Sequence, residues 1–192
     1  MNFLAHHWLA GEDENMQLGA WLGDFIKGSH RLNAYTAEVQ KGIHLHRSID
    51  SFVDGHAITL ELKSTFPAPY RRYSGIILDL MADHFLARDW LRHHHRPLRD
   101  IEQLAFSLLH RRRALLPERL IRFIAYARPR LLLSGYRKRS VIVESLAGIS
   151  TRLKHDNPLS DTADLIEENF TRWEPGLNEL LADTRDFAGL PG

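Results

Sequence analysis

The chain has no cysteine in its 192 residues. That excludes disulfides, thiolate zinc sites and a cysteine nucleophile, and it fits a reducing compartment. Glycine and proline are few, 12 and 8, against 44% hydrophobic and 26% charged residues. Such a composition is not collagen-like, low-complexity or disordered. No apolar run approaches the roughly 18 residues that a spanning helix needs. The opening run Met1–Ala10 lacks a basic leader and is followed by Glu12-Asp13-Glu14, so it does not read as a secretory signal. Gly-x-Ser-x-Gly, a phosphate-cradling glycine loop and a dinucleotide fingerprint are absent too. The expectation is a cytoplasmic protein without a membrane span, long enough to bury one sizeable core.

The apolar residues that are present recur at helical spacing almost throughout. Leu18, Trp21, Leu22 and Phe25 make one stripe, ended by Gly28. Val39, Leu45, Ile49, Phe52 and Val53 make another, ended near Gly55. Ile76, Ile77, Leu80, Met81 and Phe85 carry a third helix to about Trp90, before the His93-His94-His95-Arg96-Pro97 break. Further helices are predicted from Ile101, behind Pro117, over Arg139–Leu153, over Thr162–Trp173, and after Pro175. Strict alternation is scarce, so no sheet is expected. The fold class predicted is all-α, one helical bundle spanning residues 1–192.

Two features point to chemistry. The first is charge: residues 88–139 hold fourteen Lys/Arg against four Asp/Glu, while the remaining residues hold eleven against twenty. Such polarity fits an acidic partner, whether nucleic acid, anionic membrane or protein, or simply a solvated helix face. The second is histidine. Ten of twelve lie in the first 95 residues, and histidine is the commonest metal ligand. His46 and Asp50 are four apart, as are Asp79 and Asp83, so each pair shares a helix face. Two antiparallel helices joined by a short connection would bring the pairs together, with Asp24 from an apolar Trp21–Phe25 run. Burying so many carboxylates is costly unless a cation neutralises them. The candidate ligands are therefore Asp24, His46, Asp50, Asp79, Asp83 and His84, with His6 and His44 as possible ligands or supports. His6 fits a hydrogen-bonded core histidine equally well, and each spaced pair alone also fits an exposed ion pair. The donor mix suits Mn, Fe, Zn or Mg, tilted by its carboxylates toward Mn or Mg. The chemistry expected is metal-assisted hydrolysis of a phosphate ester, with Asp24 and Asp83 as catalytic candidates. Removing a buried carboxylate from such a cluster is expected to cost little stability. Arg47, next to His46, is a candidate for contacting a phosphate or capping an acidic ligand. His93–His95 reads as an exposed turn, and His155-Asp156 as a loop before Pro158.

Four segments in order resemble one family: Met1–His6; Gly23-Asp24-Phe25-Ile26-Lys27-Gly28; Gly42-Ile43-His44-Leu45-His46-Arg47-Ser48-Ile49-Asp50; and Asp83-His84-Phe85-Leu86-Ala87 with Trp90. Together they look like the acyl carrier protein phosphodiesterases, densely over residues 1–90 and loosely beyond, around Phe170, Trp173 and Pro175. The resemblance implies an all-helical hydrolase of lipid metabolism, distantly similar to the His-Asp (HD) metal phosphohydrolases. It implies removal of the 4′-phosphopantetheine arm from holo acyl carrier protein with a divalent metal, preferably manganese, with magnesium or iron as alternatives. The adjacent His-Asp pair of the HD pattern is missing from the first 95 residues, where Asp83-His84 is reversed. With an acidic carrier protein as partner and no nucleic acid, the basic segment becomes a docking surface, centred on Arg111, Arg112, Arg113 and on Arg137, Lys138, Arg139. Two other functions stay open at this point: a metal phosphohydrolase acting on a nucleotide or another phosphoester, and a non-enzymatic helical module that binds an acidic partner.

Overall fold

A computed structural model describes residues 1–190. The first half holds α1 (Phe3–Leu9), α2 (Glu14–Leu22), α3 (Ser29–Leu32), α4 (Ala37–Gly55), α5 (Ala57–Ser64), α6 (Ala68–Arg71) and α7 (Ser74–Arg88). The second holds α8 (Leu98–Arg111), α9 (Glu118–Ala127), α10 (Leu132–Gly135), α11 (Arg139–Ser150) and α12 (Ala163–Phe187). Short 3-10 turns join several of them, and there is no strand among the described residues. No described helix is long and apolar enough to cross a membrane.

Local chemistry explains the main elements. Asp13 caps α2 by accepting the amide hydrogens of Asn15 and Met16, each at 2.9 Å. Helix α4 buries Val39, Ile43, His46, Ile49 and Val53, a stripe at helical spacing with one imidazole inside it. Helix α7 is buried on nearly every side, from Ile77 to Ala87, because α1, α11 and α12 all pack on it. Trp21, Phe66, Phe85 and Trp173 are the largest fully buried side chains of the core around it.

Helices α2 and α4 pack backbone to backbone, an approach that depends on two glycines. A Cβ on Gly19 would lie 2.4 Å from the carbonyl oxygen of Val39, and one on Gly42 would lie 2.4 Å from that of Met16. Both neighbours are backbone atoms, so neither can turn aside. Gly42→Ala should therefore push the helices apart and destabilise the protein by about 1–3 kcal/mol, the usual range for overpacking. A thermal melt reads this directly, and an unshifted midpoint would show that the contact relaxes freely.

Three sequence expectations need correction. Residues 163–187 form one helix, not two: Pro175 lies inside α12. Both Pro175 and Thr171, whose carbonyl loses its partner there, are exposed, so the break falls on the solvent side of the helix. The α4–α7 connection is not short, since α5 and α6 lie between them. The helix of Trp21 stops at Leu22 rather than Gly28, which leaves Asp24 in a turn.

Candidate metal centre

The site is assembled from α1, the turn after α2, α4 and α7. Helix α1 has no capping bond from its own Asn2. Instead Asp83, fully buried on α7, accepts the amide hydrogens of Leu4 and Ala5, each at 2.9 Å. Both carboxylate oxygens thus satisfy donors that a helix start leaves open. That anchor turns His6 inward, one turn along. His6 Nε2 lies 3.0 Å from Asp50 Oδ1 of α4.

His46 is fixed from behind. Its Nδ1 donates to the carbonyl oxygen of Ala20 at 2.8 Å. Gly23 backs directly onto the ring, where a Cβ would come within 2.2 Å of Cγ. The ring's other nitrogen, Nε2, faces Asp50 Oδ2 at 3.2 Å and Asp24 Oδ1 at 3.4 Å. The two imidazoles stack, with centroids 3.6 Å apart and planes 15° from parallel. His6, His46 and Asp50 each offer one ligand atom, and the three atoms lie within 4.8 Å of one another. The amino group of Met1 donates to Asp79 Oδ1 at 3.0 Å and lies 3.7 Å from Asp50 Oδ1.

The electrostatics ask for positive charge. With Nδ1 donating to Ala20, a neutral His46 would aim a lone pair at two carboxylates. Without a metal it takes a proton instead. Burial alone would lower its pKa, but the hydrogen bonds and charges of Asp24 and Asp50 raise it to about 9. Asp50 and Asp24 move the other way: burial opposes ionisation, and His46 overcomes it, so both are held below the usual carboxylate range. His6 is lowered to about 4, chiefly by burial. Asp83 is pushed up to about 7 by burial, against the pull of the Leu4 and Ala5 amides. A divalent cation at this point would replace the His46 proton and quench the carboxylates together. A ligand imidazole whose other nitrogen donates to a backbone carbonyl is the usual arrangement around a metal. The residues fit such an ion.

Of the residues expected from sequence, the structure brings Asp24, His46, Asp50 and His6 together. Asp79 and Asp83 stand behind them, Asp79 on the Met1 amine and Asp83 on α1. His84 takes no part in the group: its Nδ1 donates to the carbonyl oxygen of Tyr136 at 2.8 Å and its ring meets Phe170 edge-on. One residue along a helix turns a side chain by 100°, so neighbours cannot share a face. His44 is exposed for the same reason, two residues before the buried His46. Arg47 donates to the carbonyl oxygen of Ile26 and so pins the turn that carries Asp24. His93 and His94 are half-buried against Trp8 and Trp90 rather than fully exposed as expected. His155 and Asp156 lie in an exposed loop.

The basic segment is only partly free. Arg111 pairs with Glu14 at the start of α2, and Arg139 pairs with Glu167 and covers the Phe170 ring. Arg112, Arg113, Arg137 and Lys138 are exposed, with no ion-pair partner among the described residues. Asp24 follows the opposite end of α2 from Glu14, and nine helical residues span roughly 13 Å. The Arg111 cluster therefore does not rim the metal-binding group.

Comparison with known proteins decides the family. The family model for acyl carrier protein phosphodiesterase matches residues 1–184. The chain belongs to the acyl carrier protein phosphodiesterase family. It is 33% identical to the acyl carrier protein phosphodiesterase of Pectobacterium atrosepticum over 175 residues, 91% of this chain and 90% of that one. A relative of the same name from Photorhabdus laumondii is 29% identical over 204 aligned positions, covering all of both chains. The one from Yersinia pestis is 43% identical over 90 residues, 47% of this chain and 46% of that protein. No solved structure matches. Within this family member, three parts of the site escape pattern reasoning: the Ala20 carbonyl, the Met1 amine and the bare Gly23. Only Gly23 leaves a sequence signal, a glycine immediately before an aspartate in an apolar run.

Proposed function

We propose that this chain hydrolyses the phosphodiester of holo acyl carrier protein, releasing 4′-phosphopantetheine and apo carrier protein. Family membership supports the reaction class. The observation that carries the metal-dependent version is His46, whose Nδ1 donates to Ala20 while Nε2 confronts two carboxylates. His6, His46 and Asp50 would hold a divalent cation, manganese before magnesium or iron, and Asp24 lies beside His46 Nε2. Such an ion supplies a Lewis acid that lowers the pKa of water and neutralises phosphoryl charge.

The side chains supply the rest. Asp24 is the most open carboxylate of the group, with 58% of its side chain exposed. Its Oδ1 faces His46, and Oδ2 is available to accept a proton from the attacking water. The water oxygen bonds to phosphorus as the bond to the carrier serine oxygen breaks. Asp24 passes the proton it takes to the departing serine oxygen, which becomes the hydroxyl, and the second water proton stays with the released phosphate, which exchanges it with solvent. Arg47 acts as a positioning residue, since its bond to Ile26 holds the Asp24 turn. Asp83 is likewise a positioning residue, acting through α1 on His6.

Mass spectrometry of holo acyl carrier protein tests this. Incubation with the Mn2+-loaded enzyme should remove one phosphopantetheine mass, and chelation should stop it until Mn2+ is restored. Intact holo protein with active-site metal present would overturn the substrate. Undiminished turnover after exhaustive chelation would overturn the metal. A nucleotide phosphoester cleaved in preference to the carrier protein would favour the wider phosphohydrolase reading.

A further inference from the structure

Away from the metal-binding group, the C-terminal end of α8 and the length of α9 enclose a groove of about 260 Å³. Its floor is aliphatic, formed by Leu109, Leu116, Ile121 and Ile124, and its rim carries Arg113 and Arg128. Both arginines are exposed, and neither forms an ion pair among the described residues. Residues 109–130 contain seven arginines and a single acidic residue, Glu118. An apolar trough edged by cations is complementary to one kind of object: an amphipathic helix with an apolar ridge and acidic flanks.

The groove also stands in a definite relation to the site. Helix α9 turns Ile121 and Ile124 into the groove and Phe123 to its other flank. There Phe123 stacks on Phe3 at 4.3 Å, and Phe3 leads straight into Leu4 and Ala5, which hold Asp83. Phe3 also stacks on Phe25, the neighbour of Asp24, at 6.3 Å. One helix, about 10–12 Å across, and the Phe123–Phe3–Phe25 stack thus separate the groove from the Asp24 turn. Arg119 and Arg122 are exposed on the crest between. A standard interface covers about 800 Å² on each partner, a patch roughly 30 Å wide. That is wide enough to lie in the groove, cross the α9 crest and reach Asp24.

We infer that the α8–α9 groove receives an acidic amphipathic helix of the acyl carrier protein substrate, an inference that rests on the function proposed above. Docking there seats the carrier beside α9, with its modified serine over the Asp24 edge. The contact is equally present before and during the reaction, so it lowers KM and leaves kcat alone. It also moves the docking surface from the arginine clusters alone to an apolar trough whose rim includes one of them.

Steady-state kinetics on holo acyl carrier protein and on bis(p-nitrophenyl) phosphate, with Mn2+, test it. Three variants are compared with the wild type: Ile124→Gln on the floor, Arg128→Glu on the rim and Arg99→Glu at the opposite end of α8 from the groove. Ile124→Gln and Arg128→Glu should each raise KM for the carrier about tenfold, equivalent to about 1.4 kcal/mol. The Arg128→Glu effect should shrink with salt and the Ile124→Gln effect should persist. Arg99→Glu carries the same charge change outside the proposed contact and should cost less, which separates contact from general steering. Turnover of the small diester should stay at the wild-type level in all three, which also shows that they fold. Wild-type KM for the carrier in both groove variants, with the wild type active on it, would overturn the groove and leave the function standing. A wild type inert on holo carrier protein would overturn the function and the occupant together. A self-dimer in sedimentation that Ile124→Gln dissolves would assign the groove to a second copy instead.

Discussion

Asp50→Ala should abolish turnover and weaken Mn2+ binding by at least about a hundredfold, the upper end of what even indirect metal partners cost. Asp50 is the one carboxylate that both imidazoles meet, with Oδ1 on His6 and Oδ2 on His46. Removing it leaves Asp24 as the one carboxylate on His46 and none on His6. The Asp50 side chain is 39% exposed, so the fold should survive the change. Calorimetric titration with Mn2+ measures the affinity, and the carrier-protein assay measures turnover. Binding within a few fold of wild type would remove Asp50 from the centre.

Asp83→Ala should act on the fold first and on catalysis second. The substitution strands the amide hydrogens of Leu4 and Ala5 in a buried site. Each such group costs about 1–3 kcal/mol, so denaturant unfolding should show a loss of about 2–6 kcal/mol. The expectation from sequence is a small cost, because there Asp83 counts only as one carboxylate of an acidic cluster. Asp83→Asn keeps one acceptor and should lose less. An alanine variant as stable as the wild type yet unable to bind Mn2+ would make Asp83 a direct ligand rather than the anchor of α1.

How far the sequence reaches can be seen residue by residue. The helices over 37–55, 98–111 and 118–127 are legible from their apolar spacing, with Gly55 marking the end of the first and Pro117 the start of the last. Helix α12 is not, because a proline reads as a break unless its exposure is known. Short α3, α5 and α6 have too few turns for a periodic signal. In the site, His46 and Asp50 are found because both partners lie on one helix face. His6 pairs with Asp50 across 44 residues, a relation that no local spacing encodes. Asp79 and Asp83 share the i, i+4 spacing of His46 and Asp50 and still do different work. One oxygen of Asp79 meets an amine, while Asp83 is consumed by backbone. Glu102 repeats that device: buried on α8, it accepts the amide hydrogens of Leu133 and Ser134 at the start of α10. A buried carboxylate in sequence therefore marks either a cation or another helix's open end, and only the tertiary structure separates them.

The Asp83 anchor ties residues 4 and 5 to a position 79 and 78 residues along. Closing a loop of that length costs roughly 4 kcal/mol of chain entropy by the logarithmic law, before any contact rewards it. His6 reaches Asp50 only after this closure, so a cation that His6 helps to hold binds the closed chain and not the open one. By mass action, ion at a hundred times its dissociation constant returns about 2.7 kcal/mol to the closed form. Under the metal binding proposed above, the ambient concentration of the ion, and not sequence alone, sets how firmly the first helix is held in place.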